Sequence, residues 1–98
     1  MNIIEKLKED LSKFDISFTD VEANKDNPYK VKITLPWKDY LNEYNALFCA
    51  VMHTAIEFNC YVAQNKVSLD SDNKTYAIIS IEFQEPLKSI DYMDDNQI

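Results

Sequence analysis

No glycine occurs anywhere in this chain of 98 residues. Glycine takes positive φ without a Cβ clash and lets a backbone approach phosphate closely. Its absence therefore removes the Walker loop, the dinucleotide-binding fingerprint and the nucleophile elbow together. Arginine is missing as well, and with it the planar fork that grips phosphate and carboxylate. A net charge of -7 repels a nucleic-acid backbone, so direct nucleic-acid binding is disfavoured.

What remains is a pattern of helices and strands. Ile3, Ile4, Leu7, Leu11 and Phe14 fall within about 100° of a helical wheel, which predicts an amphipathic first helix with one buried stripe. Ile16 to Thr19 alternates with period two and predicts a short strand. Ala23 to Pro28 is a polar hairpin connection, and Tyr29, Val31, Ile33 and Leu35 interleave with Lys30, Lys32 and Thr34 as a half-buried strand. Pro36 ends that strand, and Asp39 is placed to act as N-cap or first-turn acid of a second helix reaching about Asn59. Apolar residues from Leu41 to Phe58 cover more than half of its circumference, which predicts a central helix packed on two sides.

Two further runs, Tyr61 to Leu69 and Thr75 to Phe83, predict a second hairpin. The expected fold is α+β: a two-layer αββαββ arrangement with a four-stranded antiparallel sheet and both helices on one face. Residues 1–84 are expected to form one domain, with 85–98 an acidic tail that starts a short helix at Pro86 and then frays. "KFDI" before the first hairpin echoes "EFNCY" before the second, so an internal duplication stays open.

Asp70-Ser71-Asp72-Asn73 opens like a calcium loop, but the sixth and twelfth positions hold Thr75 and Ile81 instead of glycine and a bidentate acid; a hairpin turn is favoured. Cys49, His53 and Cys60 lie on one helix without a fourth metal ligand. His53 is expected to pair with a neighbour such as Glu57, and both cysteines to be buried free thiols, since eleven helical residues separate them by about 16 Å. The carboxylates are expected on wet surfaces, where they do poor acid/base work. No catalytic residue, cofactor or metal is expected, and the chain is read as non-enzymatic. The longest apolar run, Ala46 to Met52, is too short for a membrane span, and the amino terminus lacks a secretory pattern; a cytoplasmic location is expected, the host cytosol if the chain is phage-encoded.

Charge is concentrated along the chain: residues 15–28 carry -3 and residues 67–98 carry -5, against 0 and +1 elsewhere. If each helix runs antiparallel to the strand after it, Asp20, Glu22 and Asp26 meet Glu85, Asp91, Asp94 and Asp95 at one pole, a single-sign patch suited to a basic partner. Val62, Tyr76 and Ile78 are expected on the outer sheet face, where a protein partner or a second copy could cover them.

Small, acidic and free of catalytic motifs, the chain resembles in general character the inhibitors that phages and mobile elements deploy against host nucleases, including anti-CRISPR proteins. That resemblance implies a non-catalytic inhibitor occupying the basic surface of a nucleic-acid-handling or nuclease complex, its carboxylates standing where phosphates would stand. The alternative is a small acidic chaperone or immunity-type protein that sequesters one cognate protein as a homodimer. In acidity and in mixing helices with an antiparallel sheet, the chain is similar to type III secretion chaperones.

Overall fold

The computed structural model describes residues 2–70 and 75–86. Its elements are α1 (Ile3–Lys13), β1 (Asp20–Ala23), β2 (Lys30–Pro36), α2 (Trp37–Glu57), β3 (Tyr61–Leu69) and β4 (Tyr76–Gln84). The strands form one antiparallel sheet in the order β1-β2-β4-β3. The helices pack on each other and on one face of that sheet, so the α+β architecture read from the sequence is the observed one.

Each helix has a local reason to begin and end where it does. Asn2 caps α1 through a reciprocal box: its side chain accepts from the Glu5 N–H at 2.9 Å while Glu5 accepts from the Asn2 N–H at 3.0 Å. α2 follows β2 without a loop. Pro36 closes the strand, no side chain caps the helix, and Asp39 sits in the first turn, where an acid favours the helix dipole.

At their carboxyl ends the two helices solve the same problem identically. The Schellman termination needs a residue at positive φ, usually glycine, just past the cap. Here Asp15 (φ 59°) and Asn59 (φ 54°) take that place. The two characteristic bonds form in each case: Asp15 N–H to Ser12 O and Ile16 N–H to Leu11 O, then Asn59 N–H to Ile56 O and Cys60 N–H to Ala55 O. The echo of "KFDI" and "EFNCY" is thus a repeated capping motif, with Phe14 and Phe58 as the two C-caps. Alanine lacks the short polar side chain that eases this conformation, so Asn59→Ala is expected to cost about 1 kcal/mol in urea unfolding, and Asn59→Gly to cost nothing or to stabilise.

The cap also explains a strand that did not form. Ile16 to Thr19 is not β-structure; β1 begins at Asp20. Ile16 is spent on the apolar contact that accompanies the Schellman turn and is buried there, and the half-buried Phe18 packs against the core beside it. The hairpin connection came where expected, with Asn24 Oδ1 accepting from the Asp26 and Asn27 N–H groups.

The core lies between the layers. Cross-strand neighbours Val21–Ile33, Val31–Ile81, Ile33–Ile79 and Leu35–Ala77 face inward to meet Ile3, Leu7 and Leu11 of α1 and Leu47, Ala50, Val51 and Ala55 of α2. One expectation fails here, and another accounts for only part of a helix. A register shift between Val62 and Gln64 pairs Val62 with the inward-facing Phe83, so Val62 belongs to the inner face and not the outer one. α2 packs on two neighbours, α1 and the sheet, but among the described residues nothing covers the rest of its apolar surface, where Leu41, Tyr44, Met52 and Ile56 are exposed.

Between β3 and β4 the ladder runs to Leu69–Ala77, and the Asp70 N–H donates to Tyr76 O at 3.0 Å, as a hairpin requires. Residues 71–74, the middle of the turn weighed against a calcium loop, lie outside the described residues, as does the tail beyond Pro86 with its expected helix.

Candidate functional site

Four features of the surface and its underlying polar groups could carry function. The first is a polar cluster where the helices touch. Asp10 borders α1's apolar stripe, next to Ile3, and is fully buried. Its Oδ2 accepts from the Thr54 hydroxyl at 2.7 Å and lies 3.1 Å from His53 Nδ1, while Oδ1 lies 3.2 Å from Lys6 Nζ. Only Oδ2 is met by a hydrogen bond, from Thr54; Lys6 faces Oδ1 as an ion pair, and neither Oδ1 nor His53 Nδ1 makes an aligned hydrogen bond.

Burial alone would raise the Asp10 carboxyl; the Thr54 hydroxyl, then His53 and Lys6, outweigh it and hold the group below the usual carboxylate range. Burial likewise opposes the charge on Lys6, but Asp10 and Glu9 more than compensate and its ammonium is held above the ordinary value. His53 therefore contacts Asp10 and not the expected Glu57.

The cluster ties α1 to α2 more readily than it does chemistry. Asp10 is sealed from solvent, and Cys49, one turn before His53, lies mid-helix, where backbone N–H groups are committed to the helix ladder and cannot stabilise an oxyanion. Cys49 is exposed, contrary to the expectation of a buried thiol; Cys60 is half-buried, and burial followed by the nearby Glu85 charge raises its pKa.

The second feature is the β1 edge. Asp15 follows α1, Asp20 and Glu22 lie on β1 with side chains opposite the buried Val21, and Asp26 stands in the first hairpin turn; all four are exposed. β1 is an outer strand of the sheet, so among the described residues no strand pairs with its far side. Asp26 and Glu85 share a pole, since the Phe83 N–H donates to Tyr29 O there. Asp20 is at the other end of β1, about 10 Å along the strand. Asp91, Asp94 and Asp95 lie outside the described residues.

The third is the outer face of the sheet. Glu22 neighbours Lys32, and Lys30 neighbours Glu82, across a concavity of about 270 Å3 that Gln64 and Ser80 complete. This surface is a mosaic of both signs. Its apolar part shrinks to the half-buried Tyr76 and Ile78, with Val62 turned away.

The fourth was missed by sequence reasoning. The outward side of α2, with Phe14 at the end of α1, forms a shallow apolar groove lined by Phe48, Cys49, Met52 and Ile56. From Leu41 to Ile56 every exposed residue of this helix is uncharged, in a chain where 28% of residues carry charge. A solvent-facing helix side is ordinarily its charged side.

Among the described residues no cluster of histidine, cysteine and acid side chains could hold a metal ion, and no helix is long and apolar enough to cross a membrane. Comparison with protein-family models, with curated proteins and with solved structures found no match to this chain.

Proposed function

We propose that this chain is a non-catalytic interaction protein that binds the basic surface of a protein partner through its acidic β1 edge, as a decoy for nucleic acid. The observation that carries the reading is the exposed pair Asp20 and Glu22 on an outer strand, with exposed Asp26 in the hairpin turn that follows and Lys25 beside it. Alternate strand residues place Asp20 and Glu22 about 6.8 Å apart on one face, twice the 3.4 Å axial spacing of phosphates along one DNA strand. The surplus of negative charge steers the chain toward a basic surface before contact. The nuclease or nucleic-acid-handling complex expected from the sequence is a partner of this kind. Lys32 lies across from Glu22 on the same outer face of the sheet, so the contact is centred on the outer face of β1 and the first hairpin, away from the lysines of β2.

The test is capture of the partner from the source cell with the wild-type chain, followed by measurement with Asp20→Lys, Glu22→Lys and Asp26→Lys combined. All three positions are exposed and need not disturb folding. Affinity is expected to fall at least tenfold, roughly, and to weaken with added salt in the wild type. An affinity indifferent to both charge reversal and salt would remove the decoy reading.

A further inference from the structure

We propose that the outward face of α2 is the interface of a homodimer, two copies packing α2 against α2 antiparallel about a twofold axis at Phe48 and Cys49. This goes beyond the decoy reading and uses the other side of the molecule, since α2 covers the inner face of the sheet while Asp20 and Glu22 project from the outer one.

The area fits. Leu41 is 54% exposed, Tyr44 46%, Met52 48%, Ile56 70% and Phe14 36%. Taking about 200 Å2 for a fully exposed large side chain, these five leave on the order of 500 Å2 of mainly apolar surface per copy. Adding Asn45, Phe48 and Cys49 brings the face toward the roughly 800 Å2 per partner of a standard interface, and the apolar part alone is at the upper end of what a monomer leaves open.

The spacing fits as well. Leu41, Asn45, Phe48 and Met52 recur at intervals of four, three and four, the repeat with which one helix seats side chains into another. The pattern is self-complementary in one orientation. Lys38 and Glu57 are the exposed charges flanking the stripe at its two ends. Antiparallel pairing about Phe48 and Cys49 brings Leu41 opposite Ile56 of the other copy, and Lys38 toward Glu57 at both ends. Parallel pairing would set lysine beside lysine and glutamate beside glutamate, and would align the two helix dipoles unfavourably. Opposite fully exposed charges at the two ends, with Asp39 and Glu43 between them only half-buried and off the stripe, suit a second copy of the same helix; a foreign partner would need no such symmetry.

The experiment is the solution mass of the intact chain by light scattering or sedimentation, at about 100 μM and on dilution. The expected mass is twice the 11.5 kDa of one chain. Met52→Lys and Ile56→Lys, whose wild-type side chains are exposed, should keep the wild-type circular dichroism and run as monomers. Lys38→Glu should weaken the dimer severalfold, roughly, at low salt, and Lys38→Glu with Glu57→Lys should restore it. A wild-type monomer at the highest concentration overturns the proposal, as does a dimer that survives both Met52→Lys and Ile56→Lys. A dimer strengthened or unchanged by Lys38→Glu overturns the antiparallel geometry. The variants leave the β1 edge intact, so partner binding by a monomeric variant keeps the decoy reading separate from this one.

Discussion

Asp10→Ala is expected to destabilise the domain by about 3 kcal/mol, the low end of what removing one member of a buried charged group costs. The low end applies because the stranded partners have alternatives: Thr54 also donates to Ala50 O at 3.1 Å, and the Lys6 and His53 side chains retain solvent contact. For a domain of this size the loss lowers the melting temperature by roughly 10–20 °C. Pairing Asp10→Leu with Thr54→Val should recover much of it, since apolar side chains then fill the space without unmet hydrogen bonds. Urea unfolding of the three proteins measures both effects.

The same carboxylate predicts a pH profile. Its pKa in the folded chain is depressed, so its stabilising contribution is fully present above the ordinary carboxylate value of about 3.9 and is lost as pH falls through the lower folded value. The urea midpoint of the wild type should therefore drop more steeply than that of Asp10→Asn as pH is taken below about 4. Parallel profiles would mean that Asp10 gains nothing from Thr54, His53 and Lys6.

The second large effect is expected at Phe83. Its ring is one of the largest fully buried side chains, on the strand that lies between β2 and β3, and its N–H donates to Tyr29 O. Phe83→Ala leaves a cavity that flanking strands cannot close without breaking two ladders, so about 4 kcal/mol is expected. Stabilities of small domains lie in the range of about 5–15 kcal/mol, so this variant should be unfolded or nearly so at 37 °C by circular dichroism. Phe83→Leu, which keeps most of the volume, should lose less than half as much.

Most of the layer structure was legible because it depends on period. Residues 31, 33 and 35, and 77, 79, 81 and 83, alternate without interruption, and the structure buries every one. The failures arose where a local rule overrode the period. Ile16 served a helix end, and one extra residue in β3 moved Val62 to the inner face, an event that leaves no trace in an alternating pattern. α2 reads as apolar on two sides because it is, but a wheel cannot say whether both sides find a partner within the chain.

Asp10 was only partly legible in the sequence. At about 100° per residue it falls about 20° beyond Ile3, at the border of the greasy stripe, with Lys6 one turn before it. A wheel does not say whether an acid at that border is buried. Which residues answered it, His53 and Thr54, depends on how α1 crosses α2, which only the assembled layers determine. For the acidic row, the sequence located the charge and the sheet order showed that it lines an outer strand.

The strand order also governs how this protein can be made. β4 is the last of the described strands yet lies in the interior of the sheet, bonded to β2 on one side and β3 on the other. Until residues 76–84 have left the ribosome, the β1–β2 hairpin and β3 have nothing to join them, and β2 presents an open ladder through residues 30–36. The domain therefore closes only once β4 has been made, and a chain cut short before it has strands ready to pair with one another.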